Sequence, residues 1–195
     1  CWSPTWYIIK FQLGVVDPLV SVFYRFFLAS ILLFLFCFWK KLNFNFSLKN
    51  HVYICLLGIT LFNINYVLFY ISTLYLISGF VCLCFSSLLI MNIFNNFIFF
   101  KERPKLLTIS GGLFGLMGLV IIFNKEILSF DYKTGTSFGI LVGLIATYVA
   151  SLGNIISIKN SKDKLNIISV NALAMFYGSV SLLIYLVFLD YEFNF

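Results

Sequence analysis

Lys10 and Arg25 are the two cations of this sequence that lie inside long apolar runs. Arg25 stands seven residues into PLVSVFYRFFLASILLFLFCFW, about 10 Å from its start at ~1.5 Å per residue. A cation among apolar side chains is costly and usually faces a cavity or a partner. The pair could line a wet vestibule and attract an anionic group such as a carboxylate. Alternatively, both could snorkel to an interface, with Asp17 or backbone carbonyls as partners. No Asp or Glu lies within any apolar run.

Neutral polar side chains form a second constellation. Asn63, Tyr66 and Tyr70 recur at i, i+3 and i+7, and Asn92, Asn95 and Asn96 at i, i+3 and i+4, each set on one helical face. A buried amide needs hydrogen-bond partners, so these faces point into protein or water. Asn63, Tyr66, Tyr70 and Asn92 join Lys10 and Arg25 as the candidate substrate-binding set. Asn95 and Asn96 read as glue between helices.

The residues for covalent chemistry do not assemble. His51 is the single histidine and reads as an interfacial, snorkelling side chain. Cys1, Cys37, Cys55, Cys82 and Cys84 form no CxxC pair and read as small buried hydrophobes. Glu102, flanked by cations, reads as a local ion pair. There is no Walker loop, nucleophile–base pair or metal set. The expectation is no catalytic residue, no metal, no cofactor and no enzyme activity.

The elements that must position these side chains follow from composition. Of 195 residues, 62% are hydrophobic, 20% aromatic and only 10% charged, with mean hydropathy +1.02. Soluble domains carry roughly 25% charged residues. The solvent this composition suits is lipid, where only helices or a closed barrel satisfy the backbone. Continuous runs of about 20 apolar residues, rather than alternation over about 10, select helices.

Seven runs are legible. The first, Trp2 to Leu13, is half-length. The others are Pro18 to Trp39, Val52 to Tyr75, Gly79 to Phe100, Leu106 to Phe123, Ser137 to Ile158 and Ile167 to Leu189. Trp2, Trp6 and Trp39 suit interfacial belts, and most phenylalanines suit lipid or gaps between helices. Gly111, Gly115 and Gly118, and then Gly139, Gly143, Ala146 and Ala150, are stripes on which helices can pack closely.

The loops set orientation. Lys40, Lys41 and Lys49, then Lys101, Arg103 and Lys105, then Lys159, Lys162 and Lys164 occupy alternate connections. The intervening loops hold only Lys125 and Lys133. The +6 net charge therefore marks topology rather than nucleic acid. By the positive-inside rule the lysine-rich side is cytoplasmic, and so is the amino-terminal side. The loop from Asn124 to Thr136 is the best boundary between two halves.

At this point the residues carry a resemblance. The order Trp2, Lys10, GVVDP, Tyr24-Arg25-Phe26-Phe27-Leu28-Ala29, Asn65-Tyr66, Phe69-Tyr70 and Ser78-Gly79 is similar to the EamA-type repeat of the drug/metabolite transporter superfamily. Lys101-Glu102-Arg103 and the glycines from Gly111 to Gly118 continue it, and residues 135–188 resemble the start of a second copy. Arg25 coincides with an arginine of that pattern. One departure is the fourth run, where Leu88-Leu89-Ile90 stands where the family often has a proline.

The resemblance implies an all-α polytopic membrane bundle of ten helices in two inverted five-helix repeats. Residues 1–124 would be the first repeat, with its first helix partial, and 135–195 the start of the second. Three further helices would follow. The implied function is a secondary transporter of a small polar metabolite, an amino acid or similar, working by alternating access in a bacterial inner membrane. Its partners would be a small-molecule substrate and the lipid bilayer, with no nucleic acid; a homodimer stays open. The competing expectation is a non-transporting helical membrane protein with an assembly or regulatory role.

Overall fold

A computed structural model describes residues 18–122, 124 and 135–188. Among them regular structure is helical throughout. The helices are α1 (Pro18–Trp39), α2 (Leu48–Tyr75), α3 (Gly79–Phe100), α4 (Leu106–Ile122), α5 (Thr136–Lys162) and α6 (Ile167–Phe188). Five are long and apolar enough to cross a membrane, and α4 is shorter. The chain is an all-α, polytopic integral membrane protein. The half-length first run, with Lys10, lies outside the described residues.

Helix ends follow local chemistry. Ser47 caps α2 by accepting from Asn50 N at 3.3 Å, and Asn166 caps α6 by accepting from Ile168 N at 3.0 Å and Ser169 N at 3.2 Å. At the lysine-rich ends, Lys41, Lys101 and Lys164 close α1, α3 and α5 in the left-handed region, with φ of 52°, 55° and 57°. Paired bonds from Lys41 N to Phe38 O (3.1 Å) and Leu42 N to Cys37 O (2.9 Å) complete a Schellman turn. The same turn recurs at Lys164 N to Ser161 O (3.0 Å) and Leu165 N to Asn160 O (3.2 Å).

Two helices are irregular inside the membrane span. In α2 the segment Thr60–Ile64 is a π-turn, closed by Asn65 N on Thr60 O. Thr60 Oγ1 donates to Leu56 O (2.7 Å) and Leu57 O (3.3 Å), competing for carbonyls of the regular ladder. In α3 the ladder breaks at Ser87, where Ser86 Oγ donates to Leu83 O and Ser87 Oγ to Cys84 O, both at 2.6 Å. This serine pair interrupts the helix just before Leu88.

The chain divides into two compact units. One comprises, among described residues, 68–152; the other comprises 18–67 and 153–188. In the second unit α6 packs on α1 and α2 around Ile54, Leu57, Val170 and Ala174, with Phe62, Ile156 and Tyr177 against that cluster. Here α2 and α6 touch backbone to backbone. A Cβ on Gly58 would strike the Ala174 carbonyl oxygen and lie 2.9 Å from Gly178 N, and one on Gly178 would lie 2.7 Å from Gly58 O. Gly153 of α5 meets side chains of the π-turn, its Cβ position being 3.0 Å from Thr60 Oγ1.

In the first unit, the face of α5 bearing Gly139, Gly143, Ala146 and Ala150 is buried. Ser72 Oγ fills the space a Cβ on Gly143 would need. The other predicted stripe behaves differently. Among the described residues nothing lies within 4 Å of where a Cβ would stand on Gly111, Gly115 or Gly118; Gly112 instead packs against Leu89.

Candidate functional site

In the unit formed by 18–67 and 153–188, α1 and α2 bring Arg25 and Tyr66 together. The guanidinium carbon of Arg25 stands 5.4 Å from the Tyr66 ring centroid and 5.8 Å from that of Phe26. Phe26 and Tyr66 meet edge to face at 4.7 Å, and Phe62 joins them at 5.2 Å from Phe26. The rings are buried or half-buried, whereas Arg25 is exposed. A cation over aromatic faces is held by their quadrupoles while its N–H fork stays available for a carboxylate.

Asn63 sits one turn before Tyr66, inside the π-turn. It is 9% exposed, and its Nδ2 donates to Ser181 Oγ of α6 at 2.7 Å. Ser181 Oγ in turn donates to Gly178 O at 2.8 Å. One end of the amide is thus fixed by α6, two residues before a buried Asn65 whose Oδ1 has no hydrogen-bond partner among the described residues. Unwound turns free backbone and re-aim side chains, and they are frequent at functional sites.

Of the other predicted site residues, Tyr70 and Asn92 belong to the other compact unit, where Tyr70 is 2% exposed and Asn92 half-buried. In that unit a polar ladder joins the helices. Ser72 Oγ donates to Gly139 O (2.9 Å), Thr147 Oγ1 to Cys84 O (3.1 Å), and Asn95 Nδ2 to Ser151 Oγ (2.8 Å). Asn95 thus serves as glue between helices, with its Oδ1 unpaired among the described residues.

The structure also joins residues that spacing alone did not connect. His51 is half-buried, and its Nδ1 lies 2.9 Å from the Tyr177 hydroxyl across α2 and α6. Ser181 and Tyr177 lie 118 and 126 residues from their partners. The one available signal was the polar face of the seventh run, Asn171, Tyr177, Gly178 and Ser181. Among the described residues no three His, Cys, Asp or Glu side chains gather to hold a metal.

The chain is 27% identical over 187 residues to YoaV of Bacillus subtilis (strain 168), described as an uncharacterized transporter. That similarity covers 94% of this chain and 62% of the relative, so the chain spans less than two thirds of the relative's length. Residues 1–124 match the EamA-like transporter family. Since that match takes in more than half of the sequence, the chain belongs to the EamA-like transporter family.

Proposed function

We propose that the chain is part of a secondary carrier moving a small polar metabolite, an amino acid or similar solute, across a bacterial inner membrane. Transport is by alternating access with no covalent step. The observation that carries the reading is the exposed Arg25 guanidinium over the Phe26 and Tyr66 rings. A weakly hydrated fork over aromatic faces suits a carboxylate that must be bound and then released. Asn63 is proposed to add a neutral amide, and Lys10, Tyr70 and Asn92 are proposed as further substrate-binding residues.

Packing of α1 on α6 supports the repeat reading, because these are the second helices of the two proposed repeats, 1–124 and 135–195. Equivalent helices from inverted repeats meet near a pseudo-two-fold axis, where carriers place their binding sites. The lysine-rich loops face the cytoplasm in this reading.

The test is uptake by the full-length protein reconstituted in liposomes, using a panel of labelled amino acids. Accumulation above protein-free liposomes, reduced by Arg25→Ala, is the expected result. No accumulation of any solute overturns the carrier reading; undiminished uptake by Arg25→Ala overturns the role of Arg25.

A further inference from the structure

The α2–α6 seam holds features that solute recognition does not use. Read along α2 from its lysine-bearing end, His51 comes first, bonded to Tyr177 and met edge-on by Phe46 at 6.0 Å. Ile54 and Leu57 follow, packed against Val170 and Ala174. Then comes the contact of Gly58 with Ala174 and Gly178. Beyond that contact lies the bond from Asn63 to Ser181. Along α2 the order is clasp, apolar plug, crossing point, polar site; on α6 Tyr177 stands next to Gly178 at the crossing, beyond Val170 and Ala174 of the plug.

We propose that the part of this seam on the lysine-rich side of the Gly58–Gly178 crossing is a gate, described here closed, and that the His51–Tyr177 hydrogen bond is its clasp. At the crossing, backbone rests on backbone with no side chain between, so the contact is a fixed point about which the helices can tilt. One tilt separates His51 from Tyr177 and uncovers the plug. The opposite tilt separates Asn63 from Ser181. A single fulcrum therefore couples closure on one side to opening on the other.

The clasp has weight because lipid offers little hydrophobic drive for helices to associate, leaving packing and specific hydrogen bonds to hold them. Tyr177 reaches His51 by leaning toward the amino end of α6, as helical side chains do. Two neighbouring helices thus share the chain's single histidine and a tyrosine at the level of the crossing. That the seam serves as a gate rests on the carrier reading; the clasp itself rests on geometry alone.

Cys55, half-buried one turn beyond His51, is a natural reporter. In full-length protein in nanodiscs, with the other cysteines replaced by alanine, the rate of maleimide reaction at Cys55 is measured. Tyr177→Phe is expected to raise it about three- to twentyfold, the equivalent of losing an interhelical bond of roughly 0.6–1.7 kcal/mol. His51→Phe, which keeps a ring against Phe46 but removes the nitrogen, is expected to do the same and serves if Tyr177→Phe fails to fold. Ser181→Ala, beyond the crossing, frees the opposite side and is expected to lower the rate rather than raise it. An unchanged rate in folded clasp variants, or an equal rise with Ser181→Ala, overturns the proposal. Solute uptake is read separately: raised labelling with no flux in the parent protein keeps the clasp and removes the carrier.

Discussion

Arg25 and Asn63 show what spacing could and could not disclose. A charge seven residues inside an apolar run is visible without structure, and so is the helical register of Asn63 with Tyr66. The meeting of Arg25 with the Tyr66 ring and the Ser181 hydroxyl that fixes Asn63 are not, because these partners arrive from other helices. Twenty-five phenylalanines make any one of them inconspicuous. If Ser181 orients the Asn63 amide, Ser181→Ala should weaken transport through Asn63 alone. We expect a severalfold rise in KM for the transported amino acid, roughly the worth of one neutral hydrogen bond, ~0.5–1.5 kcal/mol. In the Asn63→Ala background the same substitution should have no further effect; additive losses in the double variant would refute the coupling.

At the scale of the helix, the glycines separate into two kinds that the sequence does not distinguish. Gly→Ala raises helix propensity by about 1 kcal/mol where there is room. At Gly58 the added methyl meets backbone of α6, which cannot swing aside as a side chain can. Overpacking of this kind costs about 1–3 kcal/mol, so the clash outweighs propensity. Gly58→Ala should therefore lower the melting temperature, whereas Gly111→Ala, facing open space among the described residues, should not. A thermal unfolding series in one detergent checks both. Equal effects would mean that the two helix faces are equally covered.

The lysine turns belong to this scale as well. A left-handed residue other than glycine costs roughly 1–2 kcal/mol, yet Lys41, Lys101 and Lys164 all adopt it. A cation at a helix carboxyl end recovers about 0.3–1 kcal/mol through the dipole and also anchors that end at the interface. Lys164→Asn, which tolerates the left-handed region but carries no charge, should keep the helix end intact. Lys164→Val, β-branched, should fray it. Amide exchange at Leu165, whose N–H closes the turn on Asn160 O, distinguishes the two.

Across the whole molecule, composition and loop charge made the helical class legible, and five spans stand within a residue or a few of the runs read from sequence. Two ends differ by four residues: α2 begins at Leu48 because Ser47 caps it, before the run turns strongly apolar, and α5 continues past Ile158 to Lys162. The interior departures from regular helix were hidden. Thr60 and the Ser86-Ser87 pair are ordinary polar residues in sequence, and only their hydroxyl bonds to carbonyls show what they do. The orientation is open to direct test. A cysteine in place of Ser161, exposed in the last turn of α5 beside the lysine-rich connection to α6, should react with an impermeant maleimide in inside-out vesicles and not in intact cells. Labelling in intact cells would invert the topology.

The carrier account stands on recognition of an anionic group by Arg25. Its most direct measurement compares uptake of a transported amino acid with that of its methyl ester, in liposomes holding full-length wild-type protein or Arg25→Ala. Wild-type protein is predicted to prefer the free carboxylate by roughly 10- to 100-fold, the worth of a hydrogen bond to a charged group at ~1.5–3 kcal/mol, and Arg25→Ala to lose that preference. A preference that survives the substitution intact would contradict the account.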